Sequence, residues 1–186
     1  MILAGAGGAA LFVATHVGNA AGGVPALGGP FTLTAADGTT VTDRTYRGKW
    51  LVLYFGYTYC PDVCPTTLNA IAGALGKLGP SAEKLQALFI TVDPRRDTPK
   101  VMGDYVRSFG HGIIGLTGSP DEIAAVAKEY DVYVAPHPEE GASYSVDHSS
   151  LIYLVDPKGK FAKLISGGLP PDRIAQQLHQ IIGQSS

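Results

Sequence analysis

Charge is scarce in this chain. Only 16% of its 186 residues are Asp, Glu, Lys or Arg, and the net charge is −2. A typical globular domain carries about a quarter. With no basic stripe and no acidic tail, nucleic acid is excluded as an electrostatic partner. Function must come from a site rather than from a field. Cysteine is scarcer still, with only Cys60 and Cys64 present. A pair this close in sequence cannot be a stapling framework for a chain of this length. It is a local device: a dithiol, a short-loop disulfide or part of a metal site.

Charge is missing from the whole N-terminal stretch, where His16 is the one ionisable side chain before Asp37. Ile2 to Ala14 is apolar and Gly/Ala-rich. That run is shorter than the about 20 residues of a membrane span. It also lacks the Lys or Arg expected before a signal-peptide core or at a cytoplasmic anchor end. A partial membrane anchor over residues 1–17 competes with a Gly/Ala-rich leader, and the Leu11-Phe12-Val13 cluster favours the anchor. Residues 18–30 read as a flexible linker. Residues 31–184 read as one domain, without repeats or an internal break. At 45% hydrophobic the chain can build a substantial single core.

Within that domain, an Asp37-Gly38 turn between Phe31-Thr-Leu-Thr and Thr40-Val41 signals a hairpin. Trp50–Tyr57, Leu85–Val92 and Leu151–Val155 are apolar runs that predict strands buried on both faces. Residues 65–78 carry Leu68, Ile71, Ala72, Leu75 and Leu78 at helical spacing, and Gly79-Pro80 ends that helix. Thr98-Pro99 opens a helix to about Phe109, and Ser119-Pro120-Asp-Glu opens another to about Tyr130. Short strands are expected at 113–116, 132–134 and 161–165, with a last helix after Pro170-Pro171-Asp172. Alternating strands and helices predict a three-layer α/β sandwich around a central mixed β-sheet. A dithiol at the first strand-to-helix junction points to a thioredoxin-like fold, whose chemistry sits at the carboxyl ends of strands.

Each cysteine is followed by proline. Proline disfavours the α region in the preceding residue, so both cysteines are expected in extended backbone. Pro65 suits a first helical position, which places Cys64 near the N-cap. A helix N-terminus favours a thiolate, the form that attacks disulfides and binds metals. The two Cα atoms are expected within disulfide reach, about 4.4–6.8 Å apart in the oxidised form. Two buried apolar cysteines would be the plain alternative. His148 lies in the polar segment Tyr144–Ser150, directly before a buried strand, where it can project onto a neighbouring loop. An ordinary core-edge histidine is the competing reading, and there are five histidines. His16, His111, His137 and His179 have weaker contexts. The segment 142–149, small and Ser-rich, is expected to be mobile in the metal-free protein.

Phe55-Gly-Tyr-Thr-Tyr-Cys60-Pro-Asp-Val-Cys64-Pro, Thr91-Val-Asp-Pro-Arg-Arg-Asp-Thr-Pro99 and Val146-Asp-His148 resemble, in order, the motifs of the Sco/SenC family of copper chaperones. The similarity runs from about Gly28 to Ile182. The resemblance implies a thioredoxin-like domain that binds copper through Cys60, Cys64 and His148. It implies a membrane-anchored protein facing the bacterial periplasm or the mitochondrial intermembrane space. It also implies a role in assembling the dinuclear copper centre of cytochrome c oxidase, with its copper-site subunit and other copper chaperones as partners. The N-terminus departs from this pattern, because no complete anchor with flanking charges is visible.

The implied ligand set is chemically sensible. Soft thiolates favour Cu(I), and imidazole suits either oxidation state of copper. Zinc could occupy the same residues with water as a fourth ligand. Asp62 and Asp147 are candidates to orient His148, since a ligating histidine commonly donates its other N–H to a carboxylate. Asp93 and Asp97 either border the site or serve as turn and cap residues, with Asp97 or Thr98 capping the helix at Pro99.

Three functions follow. The first is a copper carrier, an assembly factor and not a turnover enzyme. The second is a thiol-disulfide oxidoreductase supplied by a thiol reductant and acting on a client's copper-binding cysteines. Here Cys60 is the nucleophile and Cys64 the resolving thiol, or the reverse. The third is a peroxidase-like enzyme in which Arg95 or Arg96 polarises a peroxide. The second does not require His148.

Overall fold

The computed structural model describes residues 27–110, 112–138 and 144–183. The expected anchor or leader at 1–17 and most of the linker lie outside the described residues. No helix among the described residues is long and apolar enough to cross a membrane.

The chain begins with the expected hairpin, β1 (Thr32–Ala35) and β2 (Thr40–Thr42). Gly38 takes φ +83° in the turn, where a side chain would be strained. The core is built on β3 (Trp50–Gly56), β4 (Leu85–Thr91), β5 (Ile113–Thr117), β8 (Leu151–Val155) and β9 (Phe161–Ser166). With the hairpin they form a mixed sheet in the order β2-β1-β5-β4-β3-β8-β9. β3, β4 and β5 are mutually parallel, and β8 runs antiparallel to β3 and β9. Every residue of β3 is buried, including Leu51, Leu53 and Phe55, as a strand covered on both faces requires.

The helices are α1 (Val63–Leu78), α2 (Pro99–Arg107), α3 (Pro120–Glu129) and α4 (Pro171–Gly183). Steps from β3 to β4 to β5 go the same way across the sheet, so right-handed crossovers put α1 and α2 on one face. Registered neighbours on that face make the contacts: a Cβ on Gly56 would meet Cys64 of α1, and one on Gly115 would meet Met102 and Val106 of α2. Phe55 and Tyr153 point to the other face and pack on Tyr130 at the end of α3. α4 packs beside α1. This is a thioredoxin-like arrangement, with the start of α1 at the carboxyl end of a central strand.

Local signals explain the helix starts. Thr98 caps α2, accepting from Val101 N, and Ser119 forms a capping box with Glu122 in α3. A 3₁₀ turn over Gly79–Lys84 follows α1 directly.

Two expectations are corrected. α1 starts at Val63, not Pro65, so Cys64 is helical rather than extended. Pro65 is tolerated because the first-turn N–H it lacks would have no helical partner anyway. The strand expected at 132–134 is β6, Val134–Pro138. It pairs with β7, Tyr144–His148, inside the segment expected to be mobile. Pro136 and Pro138 are accommodated because β6 and β7 form a separate two-stranded sheet whose strands are both edges.

Candidate metal and dithiol site

β3 delivers the chain to the site at Gly56, and a tight turn leads into α1. Cys60 N donates to Tyr57 O (3.3 Å), and Cys64 N, in the first turn of α1, donates to Cys60 Sγ (3.3 Å). The sulfur of Cys60 thus takes one of the unpaired N–H groups of a helix start. Cys64 is fully buried, whereas Cys60 is partly exposed. Glycine at 56 makes room, since a Cβ there would sit 2.6 Å from Cys64 Sγ.

His148 reaches the dithiol from the end of β7. Its Nε2 lies 3.2 Å from Cys64 Sγ, and its Nδ1 lies 3.1 Å from Ser149 O. A carbonyl only accepts, so Nδ1 donates to it, and in the neutral ring Nε2 presents its lone pair towards Cys64. Ligand atoms of Cys60, Cys64 and His148 all lie within 4.8 Å of one another. Tyr54 and Tyr57 set their rings edge-on to the imidazole, at centroid distances of 6.3 and 5.9 Å. The Tyr54 hydroxyl is a neighbour of Cys64 and is buried without a well-formed hydrogen bond, while the Thr67 hydroxyl is spent on Gly167 O.

The two thiols are electrostatically unequal. A hydrogen bond from Cys64 holds Cys60 down at about 4, against the opposing effect of burial, with help from His148 and backbone N–H groups. Cys64 is pushed well up, first by that same pairing with Cys60 and then by burial. The reduced pair therefore shares one proton, with Cys60 as thiolate and Cys64 as thiol.

The acids fall elsewhere than expected. The Asp147 carboxylate pairs with His137 at 2.8 Å, and Asp62 accepts from Thr66 Oγ1 at 3.4 Å. Neither orients His148; Ser149 O does. Alternation along β7 explains Asp147, because adjacent strand residues face opposite ways. Asp97 does not cap α2, as Thr98 does. It is fully buried and accepts from Thr58 N (3.0 Å), Thr58 Oγ1 (2.6 Å) and Thr91 Oγ1 (2.6 Å). It thus anchors the turn ahead of Cys60. Asp93 accepts from Arg96 and from Tyr144 OH. Arg95 is exposed, and Arg96 is engaged by aromatic rings instead of aiming at a sulfur. Tyr54, Tyr57 and Tyr144 were not legible as site residues; only the strand spacing of Tyr54 and Gly56 hinted at a shared face.

Two thiols and an imidazole converging at a strand end define a thioredoxin-like domain built for metal or thiol chemistry. The chain belongs to the SCO1/SenC family, whose model matches residues 19–183. It is 46% identical over 142 residues to the mitochondrial SCO1 homolog 1 of Arabidopsis thaliana, covering 76% of this chain and 42% of that one. The chain spans about half the length of the curated relatives it matches. A structure of Bradyrhizobium japonicum ScoI with copper bound superposes with a TM-score of 0.78 at 44% identity, covering 83% of this chain and 99% of that one. A structure of BsSco, described as having a disulfide switch and belonging to the Sco family of cytochrome c oxidase assembly proteins, gives 0.68 at 27% identity, covering 86% and 95%.

Proposed function

We propose that the domain of residues 31–184 carries copper on Cys60, Cys64 and His148 and delivers it to the dinuclear copper centre of cytochrome c oxidase. The observation that carries this reading is the convergence of the three ligand atoms within 4.8 Å. The donor set fits the cargo, because thiolates suit Cu(I) and an imidazole lone pair suits copper in either state. The unpartnered Tyr54 hydroxyl offers a donor beside Cys64 once that sulfur is a thiolate. Three protein ligands leave room for an incoming ligand, and the partly exposed Cys60 gives it access. The partners on this reading are the copper-site subunit of the oxidase, other copper chaperones and a thiol reductant that keeps the cysteines able to bind. Family membership supports a place at the periplasmic face of the bacterial inner membrane or in the mitochondrial intermembrane space. Attachment there would run through the N-terminus.

A second reading, thiol-disulfide exchange with a client, is favoured by the low-pKa Cys60 thiolate. Cys60 would attack the client disulfide, and Cys64 would then resolve the mixed disulfide. The client leaves as a dithiol, and the domain, now a disulfide, is restored by the thiol reductant.

Cu(I) competition with His148→Ala, on the reduced protein, separates the two. The carrier reading expects a loss of affinity at least as large as the about 10- to 100-fold caused by removing an outer partner of a metal site, with thiol exchange retained. Unchanged affinity and unchanged oxidase assembly would remove His148 from the ligand set and promote the second reading.

A further inference from the structure

His148 sits at the end of a two-stranded ribbon that lies outside the main sheet. Such a ribbon is marginal alone and has to be fastened. Its middle and end are held by the buried Val146 side chain, by Val146 N donating to Tyr57 OH at 3.3 Å, and by the His148 ring against Tyr54 and Tyr57. Its start is held by Arg96. We propose that Arg96 is a positioning residue that holds His148 at the dithiol by clamping Tyr144, the first residue of β7, to the turn carrying the cysteines.

Tyr144 is gripped through its backbone, ring and hydroxyl. Arg96 Nη1 donates to Tyr144 O at 2.9 Å, and the guanidinium carbon lies 3.7 Å from the Tyr144 ring centroid. Tyr144 OH donates to Asp93 Oδ1 at 2.5 Å, while the other Asp93 oxygen is bonded by Arg96 Nε. The same guanidinium lies 4.7 Å from the ring of Tyr59, the residue before Cys60, and 5.7 Å from that of Tyr57. Its Nη2 is buried with no partner, so two nitrogens and the flat faces hold the group. Only a planar, weakly hydrated fork can bond an acid and a carbonyl while stacking on rings; a lysine ammonium cannot.

The clamp is rooted in the cysteine turn itself. Asp93 N donates to Thr91 Oγ1 (2.9 Å), Thr91 Oγ1 donates to Asp97, and Asp97 holds Thr58. One buried network therefore fixes both the turn leading to the sulfurs and the strand leading to the imidazole. Loss of Arg96 leaves Cys64 on α1 and the Asp97-held turn of Cys60 in place, and frees the start of β7. The geometry stands without any metal; its consequence for copper rests on the carrier reading above.

The test uses Arg96→Lys and Tyr144→Phe, each alone and combined with His148→Ala. Amide hydrogen exchange is followed in the reduced, metal-free protein, and Cu(I) affinity by competition with a chromophoric chelator. Arg96→Lys is expected to speed exchange in β7 while β3 and β4 stay protected, and to weaken Cu(I) binding by about 10- to 100-fold. Tyr144→Phe keeps the stack and loses one bond, so both effects should be smaller. In the His148→Ala background Arg96→Lys should cost no further affinity, because the clamp acts through the imidazole. Equal losses with and without His148, unaltered β7 exchange, or exchange raised equally in β3 and β4 would each overturn the proposal. If Arg96→Lys does not fold, Tyr144→Phe is decided by the same two measurements. If His148→Ala leaves wild-type affinity intact, the carrier reading fails, and the exchange data still decide the clamp.

Discussion

Asp97 gives the sharpest test of how the cysteine turn is held. It accepts one backbone N–H and two hydroxyls, those of Thr58 and Thr91, in a fully buried position. Asp97→Ala strands all three donors. A buried unsatisfied donor costs about 1–3 kcal/mol. The hydroxyls can turn to other acceptors and the amide cannot, so a loss of about 2–5 kcal/mol is expected. Asp97→Asn is different. Its carbonyl can replace the oxygen that serves Thr58 N and Thr91 Oγ1, and its NH₂ can donate to Thr58 Oγ1 once that hydroxyl rotates. Its cost at neutral pH should stay within about 1 kcal/mol. The pH dependence adds a signature. Burial raises the Asp97 pKa. A carboxyl whose folded pKa exceeds its unfolded value, about 3.9, contributes stability fully present below that value. That contribution is lost as pH rises through the folded pKa. The asparagine variant lacks this loss, so its stability relative to wild type should rise as pH is raised through that window. Urea unfolding at several pH values, with slopes checked for constancy, measures all three proteins. An asparagine variant as damaged as the alanine one would mean that charge, and not acceptor geometry, holds the turn. An alanine cost below about 0.5 kcal/mol would refute the accounting altogether.

The thiols and the close packing behind them can be tested in the same way. Alkylation of the folded, reduced protein should label Cys60 and spare buried Cys64, with a rate flat around neutrality that falls only towards about 4. A profile centred near 8.5, the free-thiol value, would refute the proton assignment. Gly56→Ala should destabilise by about 1–3 kcal/mol, since the new Cβ would lie 2.6 Å from Cys64 Sγ and 2.9 Å from the Phe89 ring. Gly76→Ala, where a Cβ meets nothing within 4 Å inside α1, should instead gain about 0.5–1 kcal/mol; equal thermal midpoints for the two variants would show that the close approach at Gly56 is not felt.

How far these features could be read in advance depended on the range of the interaction behind each. β3, β4 and β8 were legible because strands buried on both faces need continuous apolar residues, as in Trp50–Phe55. α2 and α3 were legible because Thr98-Pro99 and Ser119-Pro120 are local start signals. The start of α1 was misplaced because a rule about the residue before proline was applied to Cys64, inside a first turn that can absorb it. β7 was read as loose because the segment 142–149 is small and Ser-rich, and in the structure only Val146 of Tyr144–His148 is buried. Its stability comes from β6 and from Tyr57 and Arg96, which are distant in sequence. The role of Asp97 was hidden for the same reason, since its partner Thr58 lies 39 positions away. Cys60, Cys64 and His148 stood out by residue type and motif, while the side chains that hold them in place are common types with no motif of their own.

The contact between His148 and Cys64 carries one more consequence. An imidazole lone pair 3.2 Å from a sulfur is repulsive if that sulfur is a thiolate and attractive if something positive lies between them. In the reduced, metal-free state that something is the Cys64 proton, retained because the pairing with Cys60 and then burial push its pKa up. A bound cation would take the proton's place. Metal binding to thiols releases the protons the ligands carry. Cys60 is already a thiolate at neutral pH and Cys64 holds one proton, while a His148 ring that donates through Nδ1 binds through Nε2. Loading Cu(I) should therefore release about one proton per copper near pH 7, not the two expected of ordinary thiols. Calorimetric titration in buffers of different ionisation enthalpy counts them. Two protons released would show that Cys60 is not a thiolate before loading. None would show that Cys64 has no proton to lose, and the asymmetry assigned to the pair would be wrong.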